Sequence, residues 1–106
     1  MTALLPPLHE GHAPTILHQA FHDALEAFEE WVPGAPEPFV EFDGRQVAVS
    51  AVFGRMRTCT DILPVRTLDA VREIVGPAAQ ELSEDQVTYA HAALLLRALC
   101  VERLRG

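Results

Sequence analysis

The sequence predicts a mostly helical α+β domain, with three or four helices packed on one β-hairpin at about residues 39–49. Three observations carry this reading. Apolar residues recur at helical spacing from Thr15 to Val32 and again over the last twenty residues. Asp43-Gly44 separates two short runs rich in aromatic and β-branched residues. Proline and glycine at 33–38, 64 and 76–77 mark the ends of elements.

Residues 1–14 read as an irregular arm, because Pro6, Pro7, Gly11 and Pro14 interrupt any regular element. Residues 15–106 then form one globular domain, since 106 residues suffice for one core and not two. The first helix is expected from Thr15 to Val32, with Leu17, Phe21, Ala24, Leu25, Phe28, Trp31 and Val32 inward. Pro33-Gly34 ends it, and the segment to Pro38 is a connector. In the hairpin, an Asp-Gly loop with positive φ at both positions sets Phe42 against Arg45 and Val40 against Val47. Val40, Phe42, Val47 and Val49 then share one face, able to cover the first helix.

Ser50 is the expected cap of a short helix through Ala51, Val52, Phe53 and Met56. Thr67 is the expected cap of a further helix that turns Leu68, Val71, Ile74 and Val75 inward and stops at Gly76-Pro77. Ser83 and Gln86 form a capping box for the last helix, which runs to about Arg105. That helix carries two apolar stripes on opposite sides. One contains Val87, Ala90, Leu94, Ala98 and Val101; the other contains Tyr89, Ala93, Leu96, Cys100 and Leu104. A helix apolar on two sides is buried on two sides. The first and last helices are expected to form the main core; the last helix either lies at the centre of the domain or turns one stripe to another chain, and the second is favoured, with Tyr89, Leu96 and Cys100 at the contact of a homodimer.

Charge is unevenly distributed. Residues 1–43 hold eight acids and no Lys or Arg, for a net −8, while residues 44–106 are +1. Every basic residue is Arg. This balance argues against nucleic-acid binding, which requires a basic stripe. It suits a protein partner with a basic surface, met by Asp23, Glu26, Glu29, Glu30 and Glu37. No apolar run reaches the length of a membrane span, and the first residues lack the pattern of a secretion signal, so a cytoplasmic protein is expected. Cys59 and Cys100 have no metal-type or redox-type spacing and are expected to be thiols.

Three constellations could carry chemistry. His18 and His22 lie four apart on the first helix, and Glu26 continues their face, a geometry that Zn²⁺ accepts. His9 or His12 could fold back to join them, although a solvated polar face gives the same pattern. Arg45, Arg55 and Arg57, with Thr58 and Thr60 nearby, could hold a phosphate or carboxylate. Residues 51–75 could form a helix-turn-helix, but the turn is long and contains Pro64.

Catalysis finds less support. His9-Glu10-Gly11-His12 has the wrong spacing for a zinc protease and contains a glycine. Cys59 would need a base from elsewhere in the chain, such as His22 or His91. There is no phosphate-cradling loop, nucleophile elbow or paired CxxC, and no cofactor is expected. The expectation is a non-enzymatic protein that binds another protein. Small acidic domains of this kind include regulators and phage or mobile-element inhibitors of nucleic-acid-binding surfaces. A metal- or ligand-binding protein and a DNA-binding regulator are the alternatives.

Overall fold

A computed structural model describes residues 15–83 and 86–105. The expected N-terminal arm, with His9 and His12, lies outside these residues. The elements are α1 (Thr15–Glu30), β1 (Phe39–Phe42), β2 (Arg45–Ala48), α2 (Val49–Arg55), α3 (Val65–Val75), a 3-10 segment (Gly76–Leu82) and α4 (Tyr89–Arg105). The fold is α+β and mostly helical, with one antiparallel hairpin, as the sequence predicts.

The hairpin has the expected register, with Val40 opposite Val47 and Phe42 opposite Arg45. Asp43 (φ 54°) and Gly44 (φ 79°) both take positive φ, the backbone that a two-residue type I′ loop requires. Val40 and Phe42 turn inward, and β1 packs on α1. The strand is shorter than expected. The chain enters α2 at Val49, whose side chain is fully buried in the helical core. Ser50 is not the cap. Ala48 occupies that position, and the Ser50 backbone N–H donates to Oε2 of Glu37 at 2.7 Å. A carboxylate from the proline-rich connector thus satisfies an N–H that no local side chain reaches.

The core is organised around α2, the shortest helix. Val49, Val52, Phe53 and Met56 are all at most 1% exposed, and α2 packs against both α1 and α4. The first and last helices both supply this core, as expected, and α2 packs against each of them. They also touch each other at two places. Phe21 packs edge-on against Tyr89 at 4.9 Å and against Phe53 at 5.6 Å, while Arg103 lies over the Phe28 ring at 4.2 Å. Burying each large apolar side chain contributes about 1.5–3 kcal/mol.

Arg103 also ties the end of α1 to α4. Its guanidinium donates to the carbonyls of Phe28, which also accepts the Trp31 N–H, and of Trp31, just past the helix end. It therefore serves the C-terminus of α1, not the dipole of its own helix. Helix α3 starts at Val65, two residues before the expected cap Thr67, and ends at Gly76 (φ 58°). Helix α4 starts at Tyr89, beyond the expected capping box. Its cap is Thr88, whose Oγ1 accepts the His91 N–H at 3.1 Å.

Candidate functional site

Two features of the surface and its first layer could carry function. One is a polar cluster where α1 meets the loop between α2 and α3. The other is a groove between α1 and α3.

The cluster rests on a loop that has no regular structure but is firmly held. Leu63 N–H donates to the Val87 carbonyl at 2.8 Å, and Ile62 bridges Thr88. Tyr89 N–H donates to the Asp61 carbonyl and Ala90 N–H to the Cys59 carbonyl, both at 3.0 Å. The first N–H groups of α4, which a helix cannot satisfy itself, are thus bonded by this loop. The same bonds fix the backbone of Cys59 and Asp61.

His18 reaches this loop from α1. Its Nε2 lies 2.9 Å from Oδ2 of Asp61, and the Cys59 thiol donates to the same oxygen at 3.5 Å. The three potential ligand atoms all fall within 4.8 Å of one another. The His18 ring stacks on Tyr89 with centroids 4.7 Å apart and planes 8° from parallel. Burial pushes the Tyr89 phenol above its ordinary pKa of 10.0, with Cys59 and Asp61 adding to the effect.

The order of groups decides what this cluster can do. A cysteine nucleophile needs an imidazole beside the thiol and a carboxylate behind the imidazole. Here the carboxylate touches the thiol. A carboxylate with an ordinary pKa of about 3.9 is too weak a base to take the proton of a thiol at about 8.5. The arrangement suits hydrogen bonding or cation binding.

The groove holds about 730 Å³. Leu25, Pro64, Val65 and Ala70 give it an apolar lining, with Glu26 and Glu29 from α1 and Arg66 from α3. His22 lies at its edge, its Nε2 3.3 Å from Oγ1 of the buried Thr67. Beside the groove, α1 presents a solvent face of Gln19, Asp23, Glu26 and Glu30. Among the described residues, no arginine lies within salt-bridge reach of Asp23, Glu26, Glu29 or Glu30.

The structure separates residues that the sequence grouped. His18 faces Asp61, His22 faces Thr67, and Glu26 is exposed on the groove rim, so the expected His18–His22–Glu26 metal set is divided. Among the described residues, only His18 of these three joins a cluster of potential ligands, and neither His22 nor His91 is the histidine beside Cys59. The missed partners, Cys59 and Asp61, are two apart in the chain. Their role emerges only when α1 packs on their loop.

Of the expected partner-binding acids, Asp23, Glu26, Glu29 and Glu30 stay on the α1 surface, whereas Glu37 is engaged at the start of α2. Arg45, Arg55 and Arg57 are exposed, and Arg57 turns back to the Gly54 carbonyl at 3.2 Å. The exposed side of α3 mixes Arg66 with Asp69 and Glu73, which suits no phosphate backbone.

Tyr89, Leu96 and Cys100 are core residues of the chain itself, none more than 3% exposed. The assignment of the two α4 stripes is therefore reversed. Leu94 and Val101, expected inside, are 65% and 53% exposed. No disulfide joins the two cysteines. Among the described residues, no helix is long and apolar enough to cross a membrane.

No family model matches the chain, and neither a curated protein nor a solved structure matches it.

Proposed function

We propose that the protein acts by binding another protein, and that the groove between α1 and α3 receives a basic, partly apolar segment of that partner. One observation carries the reading. A groove with an apolar lining lies beside a helix face whose carboxylates have no arginine within salt-bridge reach among the described residues.

Each part has a defined task. Leu25, Pro64, Val65 and Ala70 offer apolar surface to a side chain of the partner. Glu26 and Glu29 stand where a flanking Arg or Lys would reach them, and Asp23 and Glu30 extend the negative field along α1. Such a field speeds encounter and selects a basic partner more than it adds affinity. The groove lies within the range that small ligands and anchor side chains fill. A surface that takes basic segments competes with phosphate for them, so this chain would regulate a partner that otherwise holds nucleic acid.

Paired affinity capture tests this. Wild type and a Glu26→Lys/Glu29→Lys variant are offered the same cell extract, at low and high salt. A partner retained by the wild type, released by salt and absent from the variant supports the reading. Equal capture by both proteins overturns it.

A further inference from the structure

We propose that His18, Cys59 and Asp61 form a binding site for a zinc-class divalent cation. The inference is independent of the groove and its partner.

The first argument is geometric. A tetrahedral zinc with ordinary bond lengths sets its nitrogen, sulfur and oxygen ligands roughly 3.4–3.6 Å apart. Asp61 Oδ2 already lies 3.5 Å from Cys59 Sγ and 2.9 Å from His18 Nε2, and all three atoms fit within 4.8 Å. Shifts of a fraction of an ångström to about 1 Å, within reach of side-chain rotation, open the cluster to a cation.

The second argument is chemical. Thiolate, imidazole and carboxylate are all zinc ligands, and one thiolate plus one carboxylate neutralise a divalent charge. A neutral site tolerates the low exposure found here, with Cys59 only 1% exposed. Magnesium and calcium prefer oxygen-only sets and are disfavoured by sulfur and nitrogen. Three protein ligands leave a fourth position for water or an exogenous group.

The third argument is preorganisation. The carbonyls of Cys59 and Asp61 are fixed by the first turn of α4, and the Tyr89 ring fixes the plane of His18. Ligands held in this way lose little freedom when the cation enters. The proton balance is simple. The Cys59 S–H bond breaks, a metal–sulfur bond forms and that proton leaves to solvent; where His18 is neutral, its Nε2–H proton is exchanged through solvent for one on Nδ1, which frees Nε2 for the metal and keeps the net release at one proton. The contacts of Asp61 Oδ2 with His18 and the thiol give way to three metal bonds.

Full-length protein is titrated with Co²⁺, followed by absorbance, and with Zn²⁺, followed by calorimetry in two buffers of different ionisation enthalpy. One ion per chain, a near-ultraviolet thiolate-to-cobalt band and release of one proton per zinc are expected. Cys59→Ser should abolish the band. His18→Gln and Asp61→Asn should each weaken zinc binding by about tenfold or more. Should Cys59→Ser fail to fold, the partly exposed His18→Gln carries the test alone. The proposal is overturned by an absent band in the wild type, by a band that survives Cys59→Ser, or by zinc affinity unchanged in His18→Gln. Zinc held only by His9 and His12 would show itself in the first and the last of these ways.

Discussion

The imidazole of His18 lies flat on the ring of Tyr89, 4.7 Å between centroids, while its Nε2 meets Asp61 at 2.9 Å. One side chain thereby joins α1, the loop after α2 and the first residue of α4. His18→Ala removes a hydrogen bond to a carboxylate and a stacked ring. The expected cost is about 1.5–3 kcal/mol for the bond and about 0.5–1.5 kcal/mol for the stack, discounted for partial exposure to about 2 kcal/mol in total. Urea unfolding measures it. A change below about 0.5 kcal/mol would show that His18 does not hold these elements together.

Glu37 is a second long-range tie. It sits in the connector 13 residues before Ser50, yet its carboxylate accepts the Ser50 N–H at the start of α2. Glu37→Gln keeps the length and an acceptor but loses the charge. Glu37→Ala loses both. Losses of about 0.5 and about 1 kcal/mol, in that order, are expected in chemical denaturation. Equal stability of wild type and Glu37→Ala would remove the capping role.

The hairpin tip offers a cleaner backbone test. A Cβ added at Gly44 meets no atom within 4 Å, so Gly44→Ala brings no clash. Its φ of 79° alone sets the cost, about 1–2 kcal/mol. Unfolding midpoints of Gly44→Ala and Gly44→Asn separate the cause, because Asn tolerates positive φ better. Asn should recover part of the loss.

What was legible in the sequence was local. Asp43-Gly44 dictates a loop conformation by itself, so the register of β1 and β2 followed from two residues. The inner face of α1 followed from its spacing as far as Phe28, since Leu17, Phe21, Ala24, Leu25 and Phe28 are all buried, whereas Val32, also expected inward, lies past the helix end and is 66% exposed. The caps were not legible. Ser50 and Thr67 have the right chemistry, but the start of α2 is bonded by distant Glu37, and Thr67 instead faces His22. The site was hidden for the same reason. His18 and Asp61 are 43 residues apart, and only the packing of α1 on the loop brings them together. The two faces of α4 have similar apolar content, so periodicity could not say which one meets the core.

That last point has a direct mutational consequence. Leu96 is fully buried, while Leu94, two residues earlier on the same helix, is 65% exposed. Leu96→Ala should cost about 2–5 kcal/mol, and Leu96→Asp should prevent folding by burying a charge. Leu94→Asp should stay folded, within about 0.5 kcal/mol of wild type. Circular dichroism with thermal melting reads all three. A folded Leu96→Asp would show that this face does not form the core.

Stability should also fall at high pH, and Cys100 should account for part of the fall. Burial pushes its thiol from 9.0 up to about 12, the nearby Glu37 carboxylate adds to the rise, and Arg103 and Arg97 oppose it. Between pH 9 and pH 12 the folded chain therefore keeps a proton that the unfolded chain has lost. Fewer protons bound in the unfolded state means that unfolding becomes easier as pH rises. The contribution is fully present below pH 9 and is lost progressively toward pH 12, at up to about 1.4 kcal/mol per pH unit. Tyr89, also raised by burial, adds a fall of the same sign above pH 10. Denaturant unfolding at pH 7, 9, 10 and 11 measures the slope. Cys100→Ala, whatever its effect at pH 7, should flatten the decline between pH 9 and pH 10, where Tyr89 contributes little. An identical slope in wild type and Cys100→Ala would mean that the thiol ionises as readily in the folded chain as in the unfolded one.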